Sequence, residues 1–105
     1  MNAQEQIELI PEYISDRIKV KKIILFGSYA YGCPGKDSDI DLCVIADFEG
    51  RRKIDIMREI RRAIAPFITY PVDIIVYDED EFCERAALKN TMEHKIAEKG
   101  VKLLG

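Results

Sequence analysis

The sequence lacks the features that mark several common classes of protein. Its three cysteines, Cys33, Cys43 and Cys83, form no C-x-x-C pair, and an odd number of them argues against a disulfide framework or a zinc site. No apolar run approaches the roughly 18–20 residues of a membrane span. Residues Met1–Glu5 contain no basic segment of the kind that opens a secretory signal. These absences predict a cytoplasmic protein with reduced thiols and no membrane contact.

Charge and length narrow the possibilities further. Lysine and arginine number 16 against 19 acidic residues, which gives a net charge of −3. An acidic domain is poorly suited to gripping nucleic acid through its phosphates, so we expect no direct nucleic-acid binding. The 105 residues are 48% hydrophobic and 33% charged, a balance typical of one globular core of moderate size. We predict a single domain over residues 1–105.

Apolar periodicity predicts helices that alternate with strands. Isoleucines at spacings of three and four indicate a helix over 7–18, which Pro11 should kink or divide. A second helix is predicted over Arg51–Ala65, and Pro66 should end it or kink its last turn. Apolar, β-branched runs predict buried strands, and these cover residues 20–26, 40–45 and 72–77.

The C-terminal third is predicted to hold two helices and a short strand. Asp78 with Glu81 and Asn90 with Glu93 each fit a capping box, in which the two residues satisfy the first free amides of a helix. Gly100 suits a helix end, and residues 101–104 read as a last strand. The order of elements predicts an α/β (α+β) fold with a small mixed sheet flanked by helices.

Three features of the sequence carry chemistry. Gly27-Ser28 ends the first predicted strand, where a glycine admits a ligand and a short helix starting at Ser28 would offer amides to a phosphate. Asp39 and Asp41 stand two residues apart at the start of the next strand, so they share a face about 7 Å apart along the backbone. Asp73 lies near the start of the third strand.

Chain connections bring these features to one corner. The short segment between Gly27 and Asp39 implies an antiparallel pair of strands, and the helical crossover to Asp73 permits a parallel pair. Three carboxylates at one corner repel one another, and a divalent cation such as Mg²⁺ or Mn²⁺, shared with substrate phosphates, would relieve that repulsion. The alternative is that each aspartate caps a turn or lies in solvent, and spacing alone leaves both open.

At these residues the sequence resembles the nucleotidyltransferase superfamily that includes DNA polymerase beta, and more closely its minimal nucleotidyltransferases. Their hallmark is Gly-Ser, ten residues, then Asp-x-Asp, which here is Gly27-Ser28 followed by Asp39-Ile40-Asp41. Asp73 in Val72-Asp73-Ile74 matches the third carboxylate of the family. The chain departs from the family at Tyr31, where many relatives carry arginine.

The resemblance implies an activity and a partner. It implies that Asp39 and Asp41 bind two Mg²⁺ ions, with Asp73 on one of them, while Gly27 and Ser28 hold the phosphates of ATP. It also implies transfer of AMP to a hydroxyl group, and pairing with an all-helical HEPN-type toxin whose tyrosine would be the acceptor. The chain would then be the antitoxin of a type VII toxin–antitoxin system and a protein adenylyltransferase.

Two other functions remain open on the sequence. One is a non-catalytic antitoxin that neutralises a helical partner by binding, although such a module has no need of three repelling carboxylates. The other is an enzyme that modifies a small molecule such as an aminoglycoside. Enzymes of that kind usually carry a further helical domain over the substrate. A homo-oligomer is also possible on the sequence.

Overall fold

The protein folds around a four-stranded sheet with strand order β3-β2-β1-β4. A computed structural model describes residues 1–32, 34–35 and 37–105. The strands of this part are β1 (Lys19–Phe26), β2 (Ile40–Asp47), β3 (Val72–Tyr77) and β4 (Val101–Leu104). The helices are α1 (Ala3–Ser15), α2 (Ser28–Tyr31), α3 (Lys53–Ile64), α4 (Glu79–Ala86) and α5 (Met92–Lys99).

The sheet is mixed, as the sequence predicts. Strand β1 pairs antiparallel with β2 and with β4, whereas β2 and β3 run parallel and are joined by the crossover that contains α3. The register places Phe26 opposite Asp41, and Asp41 opposite Asp73. The predicted mixed α/β class, with a small sheet flanked by helices, is confirmed.

The core is divided unequally between the two faces of the sheet. Helices α1 and α3 cover one face, where Ile10, Ile14, Leu42, Val44 and Ile60 belong to the larger apolar cluster. Helices α4 and α5 cover the other face over a smaller cluster. Its buried members are Ile24, Cys43, Ile45, Tyr77, Phe82 and Ile96.

Helix α1 differs from its predicted outline. A complete capping box at Asn2 and Glu5 begins it, and Pro11 lies inside the helix without dividing it. The helix ends at Ser15, so Ile18 is buried beyond the helix rather than within it. Apolar spacing alone extended the predicted helix too far, because Ile18 continues the pattern from an irregular segment.

The two C-terminal helices are present, but the second begins one residue later than predicted. Asp78 caps α4 by accepting a hydrogen bond of 2.8 Å from the amide of Glu81. Thr91, not Asn90, caps α5, and its hydroxyl accepts from the amide of His94 at 3.1 Å. The capping box predicted at Asn90 and Glu93 is therefore wrong. Gly100 follows α5 as its C-cap, as predicted.

Two further predictions concern the thiols and the membrane. Cys43 is buried and Cys83 is exposed, and both are free thiols, whereas Cys33 lies outside the described residues. Part of the short segment between Gly27 and Asp39 also lies outside them. Among the helices described, none has the length and apolar character to cross a membrane.

Candidate active site

The predicted carboxylates meet at the end of the sheet where β1 ends and β2 and β3 begin. Asp41 and Asp73 are directly opposite each other in the parallel ladder. Asp39 immediately precedes β2 and is exposed, as is Asp73, while Asp41 is half-buried. Asp37 lies in the exposed turn that precedes Asp39. The structure therefore brings Asp39, Asp41 and Asp73 to one corner.

The electrostatics of Asp41 show that the three carboxylates interact. Burial raises the pKa of Asp41 above its usual value, and the negative charges of Asp73 and Asp39 raise it further, in that order. Each of these effects disfavours the ionised carboxylate. The corner therefore carries unrelieved repulsion that a cation would remove.

Gly27 makes room for the carboxylate of Asp41. Its backbone has a φ of 73°, in the left-handed region that favours glycine. A Cβ atom at this position would overlap Oδ2 of Asp41 and lie 3.0 Å from its Cγ. Because only glycine fits here, the backbone of the β1–α2 turn can lie directly against the acidic corner.

The short helix α2 follows Gly27 at once, as predicted. The amides of Ala30 and Tyr31 both donate to the carbonyl of Gly27, at 3.0 and 2.9 Å. The amides of Ser28 and Tyr29 thus precede the first bonds of the helix, where amides lack a partner within it. Ser28 is half-buried beside Gly27. The turn therefore combines backbone that lies against Asp41 at Gly27 with a hydroxyl group on the next residue, Ser28.

The donor set suits a hard divalent cation. Carboxylate oxygens are the ligands that Mg²⁺ takes from proteins, and it completes its shell with water and substrate phosphates. Within the described residues, no three histidine, cysteine, aspartate or glutamate side chains converge closely enough to hold a metal ion by themselves. Three mutually repelling carboxylates are expected to stay apart without a cation, so residues and charge fit the ion although the ligand set is not preassembled.

Side-chain alternation puts the acidic corner on the α4–α5 face. Asp41 shares its side of β2 with Cys43 and Ile45, which lie in the smaller cluster. Helices α4 and α5 cover those residues but leave Asp39 and Asp73 exposed. The carboxylates therefore lie at the border of a helical layer, open to solvent on one side.

Sequence reasoning missed one contact of the short helix α2. Lys95 of α5 holds its Nζ atom 4.8 Å from the centre of the Tyr31 ring at the end of α2. No spacing rule connects these two residues, because they are far apart in the sequence. The contact links α5 directly to the turn that begins at Gly27.

Comparison with known proteins defines the class to which this fold and corner belong. The model of the nucleotidyltransferase domain family matches residues 7–98. The chain therefore belongs to the nucleotidyltransferase family, a family of enzymes, and the predicted resemblance is confirmed. The matched range includes all five predicted site residues, which are Gly27, Ser28, Asp39, Asp41 and Asp73.

Individual relatives agree with this assignment. A Methanocaldococcus jannaschii protein named "putative protein adenylyltransferase" is 48% identical over 40 residues, which make up 38% of this chain and 40% of that protein. The chain thus matches less than half the length of this curated relative. A Sulfolobus solfataricus crystal structure described as a "putative nucleotidyltransferase" has a TM-score of 0.55 at 24% identity, over 76% of this chain and 70% of that one.

Two toxin–antitoxin structures have the same fold. A mutant of the toxin–antitoxin MntA–HpeT has a TM-score of 0.62 at 21% identity, over 100% of this chain and 74% of that one. A toxin–antitoxin with AMP-PNP has a TM-score of 0.57 at 22% identity, over 99% and 74% of the two chains. At these identities the likeness is one of fold.

Proposed function

We propose that this protein transfers AMP from ATP to a hydroxyl group of a partner protein, a tyrosine of an all-helical HEPN-type toxin, and so acts as its antitoxin. The observation that carries the proposal is the acidic corner, where Asp41 faces Asp73 across the ladder and touches the turn at Gly27. Family membership supports the transfer, and the adenylyltransferase relative and the toxin–antitoxin structures support the choice of AMP and of a toxin partner.

In this proposal the carboxylates hold Mg²⁺. Asp39 and Asp41 would bind two ions, and Asp73 would contribute to one of them. Bound in this way, the ions would stabilise negative charge on the attacking and leaving oxygens. The raised pKa of Asp41 supports this assignment, because a carboxylate held against two others gains most from a cation.

The chain's own residues position ATP and the acceptor. Gly27 lets the phosphates approach the backbone, and the hydroxyl and amide of Ser28 bind the β- and γ-phosphates. The acceptor oxygen forms a bond to the α-phosphorus while the bond from that phosphorus to the bridging oxygen breaks, and pyrophosphate leaves. The hydroxyl proton passes to the exposed carboxylate of Asp73 and then to water.

The openness of the corner favours a protein as acceptor. Asp39 and Asp73 are exposed, and in the described residues no element covers their outer side. Transfer requires the acceptor hydroxyl to be held near the α-phosphate, and positioning of this kind is worth several kcal/mol of barrier. A docked helical partner would supply the cover and present its own tyrosine.

Intact mass spectrometry of the partner tests the proposal. The protein is mixed with a HEPN-type partner, ATP and Mg²⁺, and the partner should gain AMP units on a tyrosine. Asp41→Asn should abolish the gain, whereas Asp37→Asn, which removes a nearby carboxylate outside the corner, should leave it intact. An unchanged partner mass with the toxic activity of the partner blocked would show that neutralisation is by binding. AMP transfer by the Asp41→Asn variant would overturn the assigned site.

A further inference from the structure

Lys95 is held beside the turn that begins at Gly27. Its Nζ atom lies 4.8 Å from the ring centre of Tyr31, an attraction between a cation and the electron-rich face of an aromatic ring. Tyr31 is the last residue of α2, a helix of only four residues that starts at Ser28. The ring therefore keeps an ammonium group close to α2 instead of leaving it free in solvent.

Helix α5 is fixed on the sheet at the residues that flank Lys95. The carboxylate of Glu93 is buried and accepts a 2.5 Å hydrogen bond from the phenol of Tyr77. Nδ1 of His94 donates to the carbonyl of Ala86 at 2.8 Å, and Ile96 is buried in the smaller cluster. With its neighbours anchored in this way, Lys95 is directed outward toward α2.

A second lysine follows on the same side of α5. Lys99 comes four residues after Lys95, a spacing that places both on one helix face, and both are exposed. Gly100 then leads into β4, where Val101 pairs with Leu25, two residues before Gly27. The C-terminal end of α5 therefore lies beside the end of β1 from which the Gly27–Ser28 turn extends.

Neither ammonium group is neutralised by the protein. Across residues 1–32, 34–35 and 37–105, no carboxylate lies within 4.0 Å of the Nζ atom of Lys95 or Lys99. An open groove of about 540 Å³ borders both lysines, and Glu98 also lines it. Since the chain carries a net charge of −3, two cations on one face of α5 that lack a carboxylate partner in the described residues are a local exception that suits an anionic ligand.

We propose that Lys95 and Lys99 bind the β- and γ-phosphates of the nucleoside triphosphate, with Tyr31 positioning Lys95. The inference rests on the proposed function, because it assumes that the nucleotide lies at the acidic corner. Ammonium groups on α5 and the Gly27–Ser28 turn then hold the phosphate tail from two sides. Lysine serves this purpose as a mobile point charge, and the groove leaves its side chain free to follow the phosphates.

Calorimetric titration with ATP and with AMP, in the presence of Mg²⁺, tests the subsite without any acceptor. Lys95→Gln should weaken ATP binding about tenfold, the value of a lost charge-assisted hydrogen bond, and Lys99→Gln should act in the same direction. AMP binding should be unchanged, because AMP has no β- or γ-phosphate. Lys95→Arg should restore ATP binding. Lys22→Gln, an exposed lysine on β1 far from the corner, is the matched control.

The role of Tyr31 has its own comparison. Tyr31→Phe keeps the aromatic face and should keep the ATP affinity, whereas Tyr31→Leu should lower it without affecting AMP. Equal ATP affinity of wild type and Lys95→Gln would overturn the subsite and leave the proposed function standing. An equal loss of AMP and ATP binding in Lys95→Gln would also overturn it. Wild-type protein that binds no ATP would overturn the proposed function together with the subsite.

Discussion

The phenol of Tyr77 on β3 donates a hydrogen bond of 2.5 Å to the carboxylate of Glu93 on α5, and both residues are buried. The pair lies among the apolar members of the smaller cluster, beside Cys43 and Phe82. It is a polar contact that attaches α5 to the sheet. Because Lys95 follows Glu93 by two residues, the pair also helps to position Lys95 next to Tyr31 at the end of α2.

Tyr77→Phe should destabilise the protein by about 1–3 kcal/mol, because the carboxylate of Glu93 would stay buried without this donor. Glu93→Gln should cost less, since its amide oxygen still accepts from the phenol. Urea denaturation followed by circular dichroism measures both. Tyr13→Phe, which keeps the stacking of this ring on Phe67, is the control for loss of a tyrosine hydroxyl. Equal stabilities of Tyr77→Phe and Tyr13→Phe would contradict the prediction.

Alkaline pH should destabilise the protein through the same cluster. Burial, followed by the charge of Glu93, raises the pKa of Cys43 from 9.0 to about 12, and burial with the Glu93 hydrogen bond raises the pKa of Tyr77. The unfolded chain therefore releases these protons at lower pH than the native state does. Their contribution to stability is fully present below about pH 9 and is lost as the pH rises toward about 12.

Denaturation at a series of pH values between about 8 and 11 checks this slope. Cys43→Ala should lose less stability over that range than wild type does, because alanine has no thiol proton whose pKa differs between the native and unfolded states. Cys83→Ala removes an exposed thiol and should keep the full wild-type slope. A Cys43→Ala slope identical to that of wild type would refute the assignment.

The acidic corner should make the metal-free protein less stable than it could be. The Asp39→Asn/Asp41→Asn double variant should melt at a higher temperature without metal, because it removes the repulsion that raises the pKa of Asp41. Mg²⁺ at ten times its Kd should stabilise wild type by about 1.4 kcal/mol, or roughly 6–11 °C in a domain of this size. The double variant should lose that response and Asp37→Asn should retain it. A wild-type melting curve indifferent to Mg²⁺ and Mn²⁺, with and without ATP, would favour a non-catalytic binding module.

Alanine substitutions at two glycines should distinguish the effect of backbone strain from the effect of crowding at the site. Gly27 and Gly32 both have positive φ, of 73° and 93°, so alanine at either should cost about 1–2 kcal/mol in backbone strain. Only at Gly27 would the new Cβ overlap Asp41, since no atom of the described residues lies within 4 Å of a Cβ at Gly32. Gly27→Ala should therefore be the less stable variant in urea and should also lose the Mg²⁺-dependent rise in melting temperature. Equal behaviour of the two variants would show that the approach of Gly27 to Asp41 has no role.

The corner could be predicted from local spacing and chain connection. Asp39 and Asp41 share a face because strand side chains alternate, and the short path from Gly27 makes β1 and β2 antiparallel. The position of Asp73 could be predicted because the crossover after β2 is long enough for β3 to run parallel to β2. Each step uses neighbours in sequence or one connection, which is the scale at which sequence patterns hold.

The parts that could not be predicted depend on distant contacts. Asparagine and threonine are both good N-cap residues, and in the structure Thr91, not Asn90, caps α5. Glu93 is buried, and its carboxylate accepts a hydrogen bond from Tyr77 instead of completing a capping box. The contact between Lys95 and Tyr31 likewise exists only after α5 has packed on the sheet. The sequence identifies Tyr31 as a departure from the family pattern, but it does not identify Lys95 as the residue that contacts Tyr31.

The unequal division of the core has a consequence for how the molecule opens. Helices α4 and α5 are eight residues each and rest on the smaller cluster, so this layer should detach before the sheet and the α1–α3 side unfold. Such an opening would uncover the thiol of Cys43, which is fully buried when the layer is closed. The rate at which a thiol reagent labels Cys43 would then report how often α4 and α5 detach from the sheet. The same detachment would separate Lys95 from α2.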